Sequence, residues 1–290
     1  MLKSIKFIQI LIIMIVFIAP SVTAVDTVKI LKPLLGHDKK SKHKDEVILR
    51  SLQVTEEEYG PYKFHTIDGN MSSGRSLISI QKGDIINTYI APSNEEWNTN
   101  TIAIKIPVRQ GLSSYRLLLV DKDSLPTFSN VKTLDELGAL TAGLHRGLVA
   151  TSIFKEAGMK SITASNSEGL FLMLSRSRFD YIPRAVYEVY DELNTRKSEL
   201  KNVVIEPTIA LYLPMVSYVY VSPKEPRLAK RIETGLRILI ASGEIKVILN
   251  KYYAEDIKRA DLKNRTIIKI NNPNFKDEVL MNDKTLWIEH

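Results

Sequence analysis

The chain has 290 residues, with 40 Lys and Arg against 33 Asp and Glu, a formal charge of +7, and no cysteine. Without cysteine there are no disulfides, no thiolate metal sites and no cysteine nucleophile. The length suits a substantial core divided into two lobes, and no low-complexity linker or long structureless stretch interrupts it.

Residues 1–24 read as a secretory signal peptide: Lys3 and Lys6 make a positive start, Phe7–Ala19 is apolar, and Val22-Thr23-Ala24 is a small-residue cleavage site. The 13 apolar residues fall short of the roughly 20 that a spanning helix needs. An uncleaved N-terminal anchor is the alternative for the same residues. Cleavage would lower the formal charge from +7 to +5, and the absence of a cysteine after the apolar stretch excludes a lipid anchor at that site. An exported chain without disulfides points to the Gram-negative periplasm.

Thr27–Leu35 is an apolar β-type run that would form the first strand. The run Asp38–Lys44 (DKKSKHK) reads as a solvated basic loop; export removes the nucleic-acid partners such a patch would otherwise suggest. A helix near Glu46–Thr55, a strand at Tyr62–Ile67, a helix from Ser72 to Lys82 closed by Gly83, and a strand at Ile85–Ile90 follow. Ile102–Val108 and Tyr115–Val120 are strands joined at Arg109-Gln110-Gly111, and the second is placed as a crossing into another lobe.

A capping box at Thr133–Glu136 opens a short helix. The pattern then gives a helix over Val149–Ala157 stopped at Gly158, and a strand over Lys160–Ala164. Next comes a helix opened by a Ser165–Glu168 capping box that buries Leu170, Phe171, Met173 and Leu174. The strand Phe179–Ile182, the helix Val186–Leu193 and the strand Asn202–Glu206 complete this region. Tyr218–Ser222 is the return crossing. The helix Arg227–Ala241 carries Leu228, Ile232, Leu236 and Leu239 on one face and stops at Gly243; Glu244–Tyr253 and a polar tail end the chain.

Strands alternating with short helices imply right-handed crossovers and a parallel sheet. A helix, a basic turn, an Asp (Asp84 or Asp180) and a strand occur twice, which suggests two similar lobes. The predicted fold is therefore α/β and two-lobed, with 25–112 and 216–290 in lobe one, 113–215 in lobe two, and two crossing strands between them. A sheet of this kind binds ligands beyond the carboxyl ends of its strands, here His145–Leu148, Ser165–Glu168 and Pro183–Arg184.

The order of the segments IPVRQGLSSYRLLLV, TLDEL, GLHRG, NSEGLFLMLSRSRFDYIPRAV and YVYVSPKEPRLAKRIETGLRILIASGEI resembles the type II periplasmic binding proteins. Within them it is similar to the extracellular solute-binding family typified by amino-acid receptors of ABC transporters, as a divergent branch. The resemblance covers most of residues 27–255 and is strongest from 105 to 245. It implies two hinged lobes closing on a small polar ligand.

The departures from that family bear on the ligand. Where the family's ligand-carboxylate arginine belongs in lobe one, this chain has Asn94, followed by Glu95, Glu96 and Trp97. The Gly-Thr that opens the first helix of lobe two is Gly147-Leu148, which leaves only backbone amides for an anion. The acid that takes a ligand ammonium is replaced by Pro183-Arg184. These changes weigh against an α-amino acid and suit the cleft to an anion or to an unfamiliar ligand.

Each candidate has a functional and a structural reading. Arg184 would hold a carboxylate or phosphate bidentately, or form an ion pair with Glu188. His145 and Arg146 contact ligand or belong to a solvated loop. Asn166 or Ser167 faces the cleft, or serves the helix start with Ser165 and Glu168. Tyr89 and Trp97 stack on ligand, or pack. Arg75 substitutes for the missing lobe-one arginine, or is a surface cation; Arg109 reads as structural at the hinge.

None of the histidines His37, His43, His65, His145 and His290 pair at zinc-ligand spacing, and the chain lacks Gly-x-Ser-x-Gly, Walker and Gly-x-Gly-x-x-Gly motifs. Glu95 and Glu96 are adjacent, a poor arrangement for opposed acid and base. The expectation is a monomeric binding protein with no catalytic set, no metal, no cofactor and no nucleic-acid partner, presenting its ligand to an inner-membrane ABC permease. The alternatives are a periplasmic sensing module that regulates a membrane signalling protein, and a secreted enzyme with Glu168 as its acid.

Overall fold

The computed structural model describes residues 25–32, 39–275, 283, 286 and 287. The signal-peptide reading of residues 1–24, the end of the expected first strand, His37 and His290 lie outside the described residues.

The chain begins with β1 (Asp26–Lys32), α1 (Lys39–Gln53), α2 (Glu56–Tyr59) and β2 (Tyr62–Asp68). It continues through α3 (Ser73–Lys82), β3 (Thr88–Pro92), α4 (Glu95–Asn100), β4 (Ile102–Ile104) and β5 (Tyr115–Asp121). The next elements are α5 (Leu125–Phe128), α6 (Leu134–Gly138), β6 (Ala142–His145), α7 (Val149–Glu156), β7 (Ser161–Ala164) and α8 (Ser167–Leu174). Then follow β8 (Tyr181–Ala185), α9 (Val186–Thr195), β9 (Val203–Tyr212), β10 (Ser217–Val221), α10 (Pro226–Ala241), α11 (Glu244–Ala260) and β11 (Thr266–Lys269).

Two small sheets build one lobe, a parallel β1–β2 pair and an antiparallel sheet in the order β3-β10-β4. Asn87 joins them: its Nδ2 donates to the Thr27 carbonyl, and its Oδ1 accepts from the Lys29 N–H. The other lobe is a six-stranded mixed sheet, β11-β9-β5-β8-β6-β7, in which β5 runs antiparallel to both neighbours and β8, β6 and β7 run parallel. Successive residues of β5 feed opposite faces. Leu117 and Leu119 enter one core with Phe171 and Ile182; Leu118 and Val120 enter the other with Phe154 and Leu211.

Several boundaries differ from the sequence reading. Lys39–Lys44 is the first part of α1 rather than a loop, because the buried stripe of Val47, Ser51 and Leu52 continues back through His43 and Ser41. The charged residues between them conceal that period. β8 runs through Pro183 and Arg184 instead of ending at Ile182. The Tyr181 N–H turns towards Thr141, on the β6 side, and among the described residues β6 and β8 pair at Ala142 and Tyr181 alone. Pro183 therefore turns its missing N–H to the side where the ladder has ended, while Arg184 keeps its place opposite Leu117.

β9 likewise continues past Pro207. The Glu206 carboxylate takes up the Thr208 and Ile209 N–H groups across the irregularity, so the strand resumes. The polar tail contains β11, which pairs with β9. Part of the stretch 216–290 expected in lobe one thus belongs to the six-stranded sheet.

Candidate functional site

The two crossings between the lobes lie side by side. After β4 the chain turns at Gln110 and Gly111, both left-handed with φ of 44° and 79°, and enters β5 through Leu112–Ser114. A side chain at Gly111 would be disfavoured by this geometry. The return crossing, between β9 and β10, is laced to the first by serines. Ser114 Oγ donates to the Met215 carbonyl at 2.8 Å, and Ser113 Oγ and Ser217 Oγ are 3.2 Å apart.

A cavity of about 330 Å³ opens between the lobes at this hinge. α1 contributes Lys40 and Lys44, β3 contributes Tyr89–Pro92, and the crossings contribute Arg109 and Met215. From the six-stranded sheet and its helices come Arg116 (β5), His145 (β6), Leu148–Ala150 (α7), Ser167 (α8), Arg184 (β8), and Tyr187, Glu188 and Glu192 (α9). A wider opening of about 690 Å³ shares Leu148 and Val149 and is faced by Ser93–Glu96, Gly147 and Lys155.

Basic side chains dominate the inner cavity. Arg184 is committed within the protein: its Nε donates to Glu192 Oε2 at 2.6 Å and its Nη2 to Glu192 Oε1, with Glu188 Oε1 at 3.4 Å. Glu188 in turn accepts the Ala185 N–H at 3.1 Å, capping α9. Burial would raise the Glu188 carboxyl, but the positive charges of Arg184, Lys40 and Arg116 hold it down at about 2. Burial and the charge of Glu188 push Glu192 up, since two buried acids share one guanidinium.

Arg109 and Arg116 are held differently. Arg109 is 2% exposed and lies over the Tyr187 ring at 4.6 Å, beside the Tyr253 phenol; its Nε and Nη2 have no hydrogen-bond partner among the described residues. Arg116 is 6% exposed, and its Nη2 points at the weakly accepting sulfur of Met215 at 3.5 Å. Its Nη1 lies 3.7 Å from Glu188 Oε1, and its Nε has no partner among the described residues. Buried donors are ordinarily satisfied.

The sequence-predicted candidates divide into groups. Arg184, His145, Leu148, Ser167 and Tyr89 line the inner cavity, and Asn94, Gly147 and Leu148 line the outer opening. Asn94 and Asn166 are helix N-caps, their Oδ1 atoms accepting from Trp97 N at 3.0 Å and Gly169 N at 2.7 Å. The expected Ser165–Glu168 capping box is thus replaced by an Asn166 cap, and Glu168 pairs with Arg196 on the surface.

Trp97 is 1% exposed, stacked on Tyr89 at 5.4 Å and tilted against Tyr220 at 5.0 Å, so it is core and not a ligand platform. Arg75 and Arg146 are exposed and line neither opening. Arg184 lies inside a strand, and its carboxylate partners give it the ion-pair role. The residues missed are Arg116, Lys40, Lys44, Tyr187 and Glu192, and Arg109 was set aside as structural. One arginine in the otherwise apolar run YRLLLV was the available signal for Arg116.

No protein-family model and no curated protein sequence matches the chain. Solved structures do. An ancestral arginine-binding protein bound to arginine is similar at 16% identity over 78% of this chain and 98% of that one, with a TM-score of 0.55. An amino acid ABC transporter substrate-binding protein from Streptococcus pneumoniae, bound to L-arginine, is similar at 14% identity over 79% and 94%, with a TM-score of 0.54. A histidine kinase sensor domain with similarity to periplasmic binding proteins is similar at 16% identity over 79% and 95%, also with a TM-score of 0.54. At these identities the likeness defines the fold: the two-lobed α/β fold of type II periplasmic binding proteins. The ligand must be argued from the cleft.

Proposed function

We propose that the chain is a periplasmic solute-binding protein. It captures a small polar ligand in the interlobe cavity and presents it to an inner-membrane ABC permease. In this reading 113–215 forms most of one lobe, the flanking segments form most of the other, and the protein works as a monomer exported by its N-terminal signal. One observation carries the reading: the cavity at the paired crossings is walled by both lobes and holds buried arginine donors without a hydrogen-bond partner among the described residues. Interlobe cavities of a few hundred Å³ with convergent polar groups are ordinary ligand sites. The enzymatic alternative loses support because its acid, Glu168, is bound to Arg196 outside the cavity. Sensing for a membrane signalling protein is the second reading, favoured by the likeness to a kinase sensor domain.

The test is a thermal-shift screen of the purified protein against amino acids, organic acids, phosphate esters and polyamines, followed by small-angle scattering with any hit. A ligand at a hundred times its Kd should add about 2.7 kcal/mol. That corresponds to a few degrees in Tm for a chain of this size. The radius of gyration should fall as the lobes close. No stabilising compound in any class would sink the binding reading. Transport and sensing part on a pull-down from membranes: a permease supports the first, and a kinase or cyclase supports the second.

A further inference from the structure

Among the described residues, the cavity is lined by three arginines and two carboxylates. Its two carboxylates, Glu188 and Glu192, are gathered on Arg184, and Glu192 takes both of the close guanidinium contacts. Glu188 is further drawn off by the Ala185 N–H. No acid lining the cavity is left to receive a ligand ammonium.

Arg109 and Arg116 remain, and they are separate groups. One comes from the turn that opens the hinge, the other from the second position of β5. Each is more than nine-tenths buried, each lines the cavity, and each keeps at least one N–H without an acceptor among the described residues. A guanidinium does not deprotonate in a protein, so burial leaves charge and donors to be met from outside. The planar N–H fork fits carboxylate and phosphate oxygens.

We propose that the cleft is built for a small dianion, with one oxyanion group on Arg109 and a second on Arg116. Its ligand is a dicarboxylate or a phosphorylated organic acid, not a zwitterionic amino acid. Arg184 is a positioning residue: its bond to Glu192 keeps both acids turned away from the ligand. A monoanion would leave one buried guanidinium unmatched. This assignment rests on the solute-binding reading of the same cavity.

Isothermal titration and thermal shift on the whole protein test it. The probes are succinate, citrate and 3-phosphoglycerate, with arginine, glutamine and glucose as controls. The expected result is binding of a dianion that weakens with added salt and is at least about thirtyfold weaker in Arg109→Gln and in Arg116→Gln. The ligand-free variants should keep or raise the parent Tm, because each loses a buried guanidinium whose donors are only partly met; a merely structural arginine would lower it. Preference for succinate or citrate over 3-phosphoglycerate assigns the dicarboxylate, and the reverse assigns the phosphorylated acid. If arginine, glutamine or glucose binds and both variants bind it equally well, the dianion assignment is overturned and the solute-binding reading stands. If no probe and no member of the wider screen binds, both fail.

Discussion

His43 is fully buried on α1, edge-on to Tyr252 and tilted against Tyr253, and neither ring nitrogen has a hydrogen-bond partner among the described residues. Burial first, then the positive charges of Arg109 and Lys44, hold its imidazole well below the usual range. The folded protein therefore keeps it neutral where an unfolded histidine, with a pKa of about 6.5, takes up a proton. As pH falls through that value the unfolded chain binds a proton the folded chain refuses, and stability drops. The slope approaches about 1.4 kcal/mol per pH unit for one proton. Tm should fall between pH 7.5 and 5.5, and His43→Gln should flatten the fall; an unchanged slope in the variant would place the titration elsewhere. Glu192→Gln makes a second case. It leaves Arg184 without its closest partner, a loss of about 3–5 kcal/mol for a broken buried pair. The same change removes a negative charge from the cleft, so a bound dianion should be held more tightly even though the free protein melts earlier.

Elements were legible where a local rule sufficed. The helix expected from Ser72 to Lys82 with its Gly83 stop, the Thr133–Glu136 capping box and the apolar face of α10 stand where the residue pattern placed them, Ser72 serving as the N-cap of α3. They became illegible where a tertiary partner replaced the local rule. Pro183 and Pro207 read as strand ends, yet an ended ladder beside one and the Glu206 carboxylate beside the other let each strand run on. Arg116 escaped notice because its unmet donors exist only once β5, Met215 and α9 come together. Trp97 stayed open between stacking on a ligand and packing, because sequence cannot separate an aromatic facing a cleft from one facing a core.

Gly235 on α10 carried no such signal either. A Cβ there would lie 2.1 Å from the Ser51 carbonyl oxygen of α1. That atom is backbone, so Gly235→Ala should force the α1–α10 pair apart, at a cost of about 1–3 kcal/mol or more. Asn166 allows a cleaner separation of roles. As an N-cap, its replacement by alanine should cost about 1 kcal/mol in denaturant unfolding. Ligand affinity should stay unchanged; a loss of binding without a loss of stability would return Asn166 to the site.

The two lobes were readable at the scale of the whole molecule from the repeated helix–strand units, but the crossings lie just before the apolar runs expected to form them. Tyr115–Val120 and all but the last residue of Tyr218–Ser222 are in β5 and β10, inside the lobe sheets, and the chain passes between lobes at Gln110–Ser114 and between β9 and β10. The role of the last helix was not readable. α11 serves both cores: Ile245 and Ile248 pack with Val47, Leu236 and Leu239 in one lobe, while Leu249 and Tyr253 pack with Phe171, Val186 and Val189 in the other. β11 then joins the six-stranded sheet beyond it. Ion pairs follow the same path, since Lys39 of α1 reaches both Asp191 of α9 at 3.1 Å and Asp256 of α11 at 3.0 Å. A helix whose first turns are buried in one core and whose later turns are buried in the other cannot unfold with either alone. The protein should therefore melt in one calorimetric transition, with calorimetric and van't Hoff enthalpies in agreement, rather than one per lobe. Leu249→Ala, a cavity in the lobe-two core, should cost about 2–5 kcal/mol and move that single transition as a whole. Two separated transitions, with only the lower one moved by Leu249→Ala, would mean that α11 docks on a lobe already folded. The hinge would then be looser than the shared helix implies.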